Sequence, residues 1–118
     1  MASILFIEDE EDLRSLIRDS LTDEGHRVVV AAGGAEAIGL LASGTYEVVI
    51  SDVSMPGEVS GLDIAELIES RYPQIRVVLV SGHARAQLPS IPASTQFLPK
   101  PYRLSQLLAL LPDPCKAD

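Results

Sequence analysis

Five polar side chains stand directly behind apolar runs. Glu8 and Asp9 follow Ile4-Leu5-Phe6-Ile7, Asp52 follows Val48-Val49-Ile50-Ser51, Ser81 follows Val77-Val78-Leu79-Val80, and Lys100 follows Phe97-Leu98-Pro99. If those runs are strands of one sheet, all five side chains point into one crevice. Three carboxylates so crowded repel one another, and a hard divalent cation with oxygen ligands is the simplest way to hold them ionised. Mg2+ suits such a site because it accepts few protein ligands and keeps several waters. A lysine and a hydroxyl on the opposite wall supply a positive charge and a hydrogen-bond donor, which is what three phosphoryl oxygens require. The constellation reads as a site for a phosphoryl group.

Each residue also has a plainer use. Glu8 and Asp9 could serve only as helix-start acids, favoured by the positive end of a helix dipole. Asp52 could be a turn former, Ser81 a loop serine and Lys100 a solvated surface lysine. What separates the two readings is position, since each residue sits where a strand ends.

The elements that must deliver these side chains are legible in the spacing of apolar residues. Ser3 to Ile7 reads as a strand, and the acids Glu8 to Asp12 suit a loop and a first helical turn. Leu13, Leu16, Ile17 and Leu21 then recur at helical spacing until Gly25, where the helix should stop. Val28-Val29-Val30 reads as a buried strand, and Gly33-Gly34 opens a helix with Ala37, Ile38 and Leu41 on one face, closed by Gly44. The run 48–50 is a third strand, followed by a loop from Val53 to Ser60 that contains Met55-Pro56-Gly57. Leu62, Ala65, Leu67 and Ile68 give a third helix, ended at Tyr72-Pro73 because proline disfavours helical geometry in the residue before it. Val77 to Val80 lacks polar alternation and suits a strand covered on both faces. Phe97-Leu98 is a short fifth strand, and Leu104, Leu107, Leu108 and Leu111 form a last helix. Alternation of this kind predicts an α/β fold with a doubly wound parallel sheet, whose sites lie beyond the carboxyl ends of its strands.

Composition narrows the function classes. The chain has 118 residues, 47% of them hydrophobic, enough for one domain, 1–118, with a real core. Seventeen acidic against nine basic residues give a net charge of −8, a field that repels nucleic acid. The longest apolar stretches fall far short of the roughly 20 residues that cross a bilayer. Met1 leads into Ile4-Leu5-Phe6-Ile7 without a basic leader, so the expectation is a cytoplasmic protein with no membrane contact. One cysteine, Cys115, forms no internal disulfide, and with only His26 and His83 it makes no zinc set.

Four segments together, Ile7-Glu8-Asp9-Glu10, Ser51-Asp52-Val53-Ser54-Met55-Pro56-Gly57, Val80-Ser81-Gly82-His83-Ala84 and Phe97-Leu98-Pro99-Lys100-Pro101-Tyr102, resemble the receiver domain of two-component response regulators. The likeness runs through essentially the whole chain. It implies a flavodoxin-like sheet of five strands in the order 2-1-3-4-5. It also implies that Asp52 is the phosphoacceptor and takes its phosphoryl group from a histidine kinase or histidine phosphotransfer protein. Asp9 and Asp52 would ligate Mg2+ directly together with the Ser54 carbonyl, and Glu8 would act through a metal-bound water. Ser81 and Lys100 would hold phosphoryl oxygens, with the Lys100-Pro101 peptide usually cis. Phe97 matches an aromatic whose rotamer is linked to the inward shift of Ser81, although an aromatic in a short edge strand also serves as plain core. His83 lies where receivers tune the access of water.

The sequence departs from the usual receiver between strands four and five. Only 18 residues separate Ser81 from Lys100, and they include Pro89 and Pro92. A proline inside a helix costs about 3 kcal/mol, so the helix there should be short or missing. Its loss exposes apolar surface near Ile91 and Phe97, suited to a protein partner or a weak homodimer. Two other functions compete. A phosphate-independent binding module on the same fold would be marked by loss of Asp52, Asp9 or Lys100, and none is lost. An aspartate phosphatase would place a second aspartate two residues after Asp52, and that residue is Ser54.

Overall fold

The computed structural model describes residues 3–54, 57, 59–82 and 95–111. Nine elements alternate along the chain: β1 (Ser3–Ile7), α1 (Glu11–Asp23), β2 (Arg27–Ala31), α2 (Gly34–Ser43), β3 (Val48–Asp52), α3 (Gly61–Arg71), β4 (Arg76–Ser81), β5 (Gln96–Pro99) and α4 (Leu104–Ala109). The strands form one parallel sheet in the order β2-β1-β3-β4-β5, as expected for a flavodoxin-like fold. The expected short or missing helix between β4 and β5, with His83, Pro89, Ile91 and Pro92, lies outside the described residues. So do Met55, Pro56 and Cys115.

Strand side chains alternate between the two faces, and this builds two cores. Leu5, Ile7, Val49, Val77 and Leu79 point to one side and pack with Ala37 and Leu41 of α2 and Ile64, Ala65 and Ile68 of α3. Ile4, Phe6, Val48, Ile50, Val78, Val80 and Leu98 point to the other and pack with Ile17 and Leu21 of α1 and Leu107 of α4. The run 77–80 therefore divides evenly between the faces, which is why it carries no polar residue. Each large aliphatic side chain so enclosed contributes roughly 1.5–3 kcal/mol of transfer free energy.

Three expectations about burial need correction. Val28, Val29 and Val30 are only half-buried, because β2 is an edge strand with β1 as its sole partner. Leu16 is 62% exposed and Ile38 39% exposed. In α1 the buried line runs through Ile17 and Leu21, and Leu16 stands to one side of it. In α3 the innermost residues are Gly61, Ile64, Ala65 and Ile68, with Leu62 and Leu67 at the margin.

The helix stops fall where the sequence placed them. Gly25 follows α1 with φ of +95°, Gly44 caps α2 and Tyr72 caps α3. A capping box opens α3: the Asp63 amide donates to Ser60 Oγ at 3.3 Å and the Ser60 amide to Asp63 Oδ2 at 2.9 Å. It fixes the start of α3 against the loop that follows Asp52.

Candidate functional site

Glu8 continues β1 by one residue, its amide donating to the Ala31 carbonyl at 3.0 Å. It shares the face of Ile4 and Phe6 and is only 3% exposed. A carboxylate so placed needs partners. The Glu10 amide donates to Oε2 at 3.2 Å, and Lys100 Nζ lies 3.4 Å from Oε1. Burial raises the Glu8 carboxyl above the ordinary carboxylate range, the Glu10 amide and Lys100 opposing it and Asp9 and Asp52 adding to it.

Asp52 ends β3 opposite Val80 of β4. The Ser54 amide donates to its Oδ1 at 3.2 Å, and Lys100 Nζ donates to Oδ2 at 2.6 Å. Asp9 is exposed at the mouth, and carboxylate oxygens of Glu8, Asp9 and Asp52 all lie within 4.8 Å of one another. Burial alone would lower the Lys100 ammonium, yet the Asp52 and Glu8 carboxylates outweigh it and hold the lysine above its ordinary value. Lys100 is thus a fixed positive charge between two acids.

Ser81 ends β4, buried, and its carbonyl accepts the Lys100 amide at 2.7 Å. The backbones of the expected hydroxyl and ammonium residues are therefore tied together. The Lys100-Pro101 peptide is cis. Ser54 is exposed with its amide turned to Asp52, and Phe97 is half-buried against the α2 and α3 side of the core. The structure thus gathers Glu8, Asp9, Asp52 and Lys100 into one pocket, brings the Ser54 amide and the Ser81 carbonyl to two of them, and leaves Phe97 in the core.

The donor set tests what cation could be held. The three clustered groups are carboxylates, with no nitrogen or sulfur ligand among the described residues that join them. Hard oxygen donors with a strongly acidic bias fit Mg2+ and not a soft metal.

Several contributors escaped the sequence reading. Gly61 at the start of α3 donates its amide to the Val53 carbonyl at 3.0 Å, and a side chain there would strike the Asp52 backbone. Arg14 of α1 donates from Nη1 to the Glu8 carbonyl at 2.9 Å. Tyr102 is half-buried, and burial raises its hydroxyl above the ordinary phenol value. With Leu13, Leu16, Ile17, Pro101 and Leu104 it lines a groove of about 700 Å³ that reaches Lys100, which explains the exposure of Leu16. The aromatic after Lys100-Pro101 was visible in the sequence, but the groove forms only when α4 folds beside α1.

Comparison with known proteins agrees with this geometry. A family model described as the response regulator receiver domain matches residues 4–112. An NtrX-like response regulator of Rickettsia bellii is 34% identical over 121 residues, covering 98% of this chain and 25% of the relative. The chain spans about a quarter of the length of the NtrX-like relatives it matches. The crystal structure of response regulator protein TrrA from Thermotoga maritima, in complex with Mg2+-BeF, superposes with a TM-score of 0.80 at 30% identity, over 94% of this chain and 100% of that one. The receiver domain of the hybrid histidine kinase CckA superposes with a TM-score of 0.77 at 32% identity, over 91% and 93% of the two chains. Sheet order, acidic pocket and sequence likeness converge, and the chain belongs to the response regulator receiver domain family of two-component signalling.

Proposed function

We propose that this domain accepts a phosphoryl group on Asp52 from a phosphohistidine and thereby changes its affinity for a protein partner. The observation that carries the reading is Lys100 Nζ, held 2.6 Å from Asp52 inside a cluster that also contains Glu8 and Asp9. In the transfer an Asp52 carboxylate oxygen attacks phosphorus, the P–N bond to the donor imidazole breaks, and the electron pair stays on the imidazole nitrogen. The product is an acyl phosphate on Asp52. Asp9, Asp52 and the Ser54 carbonyl would hold Mg2+, with Glu8 behind a water. When bound, the ion neutralises charge on the transferring group.

The chain's own groups do the rest. Lys100 leaves the Asp52 carboxylate for a phosphoryl oxygen, and the Ser81 hydroxyl donates to another. The added charge, about −1.5 to −2, draws Ser81 inward and biases the position of Phe97. The reaction modifies the domain itself, so the protein is a signalling switch and not an enzyme that turns over a separate substrate. The donor is a histidine kinase or histidine phosphotransfer protein, and a cytoplasmic setting follows from such a donor. Release of the phosphoryl group to water is the reverse switch.

The test is intact mass after incubation with acetyl phosphate and Mg2+, for wild type and Asp52→Asn, each with and without EDTA. One phosphoryl adduct that needs both Asp52 and the metal is expected. A wild-type protein that is folded, gains no adduct and binds no beryllofluoride would leave a phosphate-independent binding module in its place.

A further inference from the structure

We infer that Arg14 is a positioning residue for the acidic pocket: by holding the Glu8 carbonyl, it fixes the peptide that joins the two acids of the β1–α1 turn. The consequence for metal binding rests on the function proposed above, whereas the geometry does not.

Arg14 is out of place by ordinary electrostatics. It lies one turn into α1, near the positive end of the helix, where a cation is disfavoured and the acids Glu11 and Asp12 are favoured. Acidic neighbours surround it in sequence, yet among the described residues it forms no ion pair. Its guanidinium instead donates to a backbone carbonyl at 2.9 Å, six residues back and outside the helix. Helix side chains lean toward the N-terminus, so a long side chain at this position reaches over the first turn to the loop before it. The half-buried site keeps water from competing fully for that carbonyl.

What the bond fixes follows from peptide geometry. The Glu8-Asp9 peptide is planar and trans, so pinning its oxygen sets the plane in which the Asp9 amide and Cα must lie. Glu8 is then held at each of its polar ends: amide to Ala31, carbonyl to Arg14, and carboxylate to Glu10 and Lys100. Asp9 is exposed, and its carboxyl group lies in hydrogen-bond contact with that of Glu8. Two like acids do not hold each other in place, so the position of Asp9 beside Glu8 and Asp52 depends on the backbone turn that Arg14 holds. Groups that orient metal ligands in this indirect way typically carry 10–100-fold in affinity.

Position and charge make opposite predictions. As a nearby cation, Arg14 repels Mg2+, and a neutral replacement should tighten binding. As a positioning group, its replacement should loosen the turn and weaken binding. Arg14→Met keeps the length of the side chain and removes donor and charge together, and Arg14→Lys keeps both. Arg14→Gln serves in place of the methionine variant should that protein aggregate, and the same outcome is expected of it.

Two quantities are read by NMR on uniformly labelled protein. The first, without metal, is the order and hydrogen exchange of the Asp9 and Glu10 amides. The second is the Mg2+ dissociation constant from amide shifts. Arg14→Met should disorder those amides and weaken Mg2+ binding about tenfold, with the amides of β3 and β4 unchanged and Arg14→Lys recovering most of the loss. Unaltered amides, or Mg2+ bound as tightly as by wild type or more tightly, would overturn the inference. Wild-type protein that binds no Mg2+ would sink the proposed function, and the metal-free amides would still decide the role of Arg14.

Discussion

Gly61→Ala is the sharpest probe of how the strand that carries Asp52 is seated. A Cβ at this position would lie 2.9 Å from the Asp52 carbonyl carbon and from Val53 Cα, and nearer still to the Asp52 carbonyl oxygen, where ordinary contact begins at 3.4 Å. The two backbones must part by about half an ångström or more. Neither gives way easily, since β3 is hydrogen-bonded on both sides by β1 and β4 and the capping box fixes the start of α3. Overpacking of this kind costs about 1–3 kcal/mol. Alanine's helix propensity returns up to about 1 kcal/mol. The expected net loss is therefore about 1–2 kcal/mol, read as a lower urea midpoint with an unchanged slope. Displacing the reacting carboxylate toward 1 Å can cost up to about 100-fold in rate, so phosphorylation by acetyl phosphate, followed by intact mass against time, should slow by more than the stability loss explains. Gly39→Ala is the control: it sits inside α2 with nothing within 4 Å of its added methyl. It should gain roughly 0.5–1 kcal/mol and leave phosphorylation unchanged. A Gly61→Ala protein as stable as wild type and phosphorylated at the same rate would refute the claim that this glycine seats Asp52.

Two further outcomes concern stability. His26 is buried between α1 and β2, and burial lowers its pKa below the ordinary 6.5, with Glu24 and Glu47 pulling the other way. The unfolded chain then binds the proton more readily than the folded one. The stability from the neutral ring is complete above pH 6.5 and declines as pH falls below it toward the lowered folded value. Urea unfolding of wild type and His26→Leu between pH 5 and 7 should differ in slope in this sense, and parallel curves would remove His26 as the cause. Ser60→Ala breaks the capping box of α3 and should cost about 1 kcal/mol, measurable as a lowered thermal midpoint; an unchanged midpoint would mean that water replaces the cap.

Much of this architecture is written in local sequence, because strand and helix faces repeat at fixed periods. The run 77–80 announced a doubly covered strand, Tyr72-Pro73 a helix stop, and the polar residues after four apolar runs the mouth of the site. What escaped was what depends on neighbours distant in sequence. Leu16 and Ile17 are equally apolar, and only the packing of α1 on the sheet shows that Ile17 enters the core while Leu16 faces the groove beside Tyr102. Glu8 and Asp9 are adjacent acids, and their unequal burial follows from Glu8 prolonging the β1 ladder through its bond to Ala31. Arg14 gave no signal, because a guanidinium reaching back six residues to a carbonyl leaves no pattern in residue types. Gly61 could be read as a helix-start glycine, while its closeness to Asp52 belongs to the fold.

The Lys100 ammonium meets Asp52 across 48 residues of sequence and Glu8 across 92. Parallel strands joined by crossovers make that separation unavoidable, and it sets an order in time during synthesis. While the chain emerges from a ribosome, β1, β3 and β4 can assemble before β5, and Glu8, Asp9 and Asp52 then stand together without their counter-charge. Under the function proposed above, the pocket is complete only when the last strand docks and delivers Lys100. On that reading, reactivity at Asp52 would serve as a proofreading mark of a finished sheet.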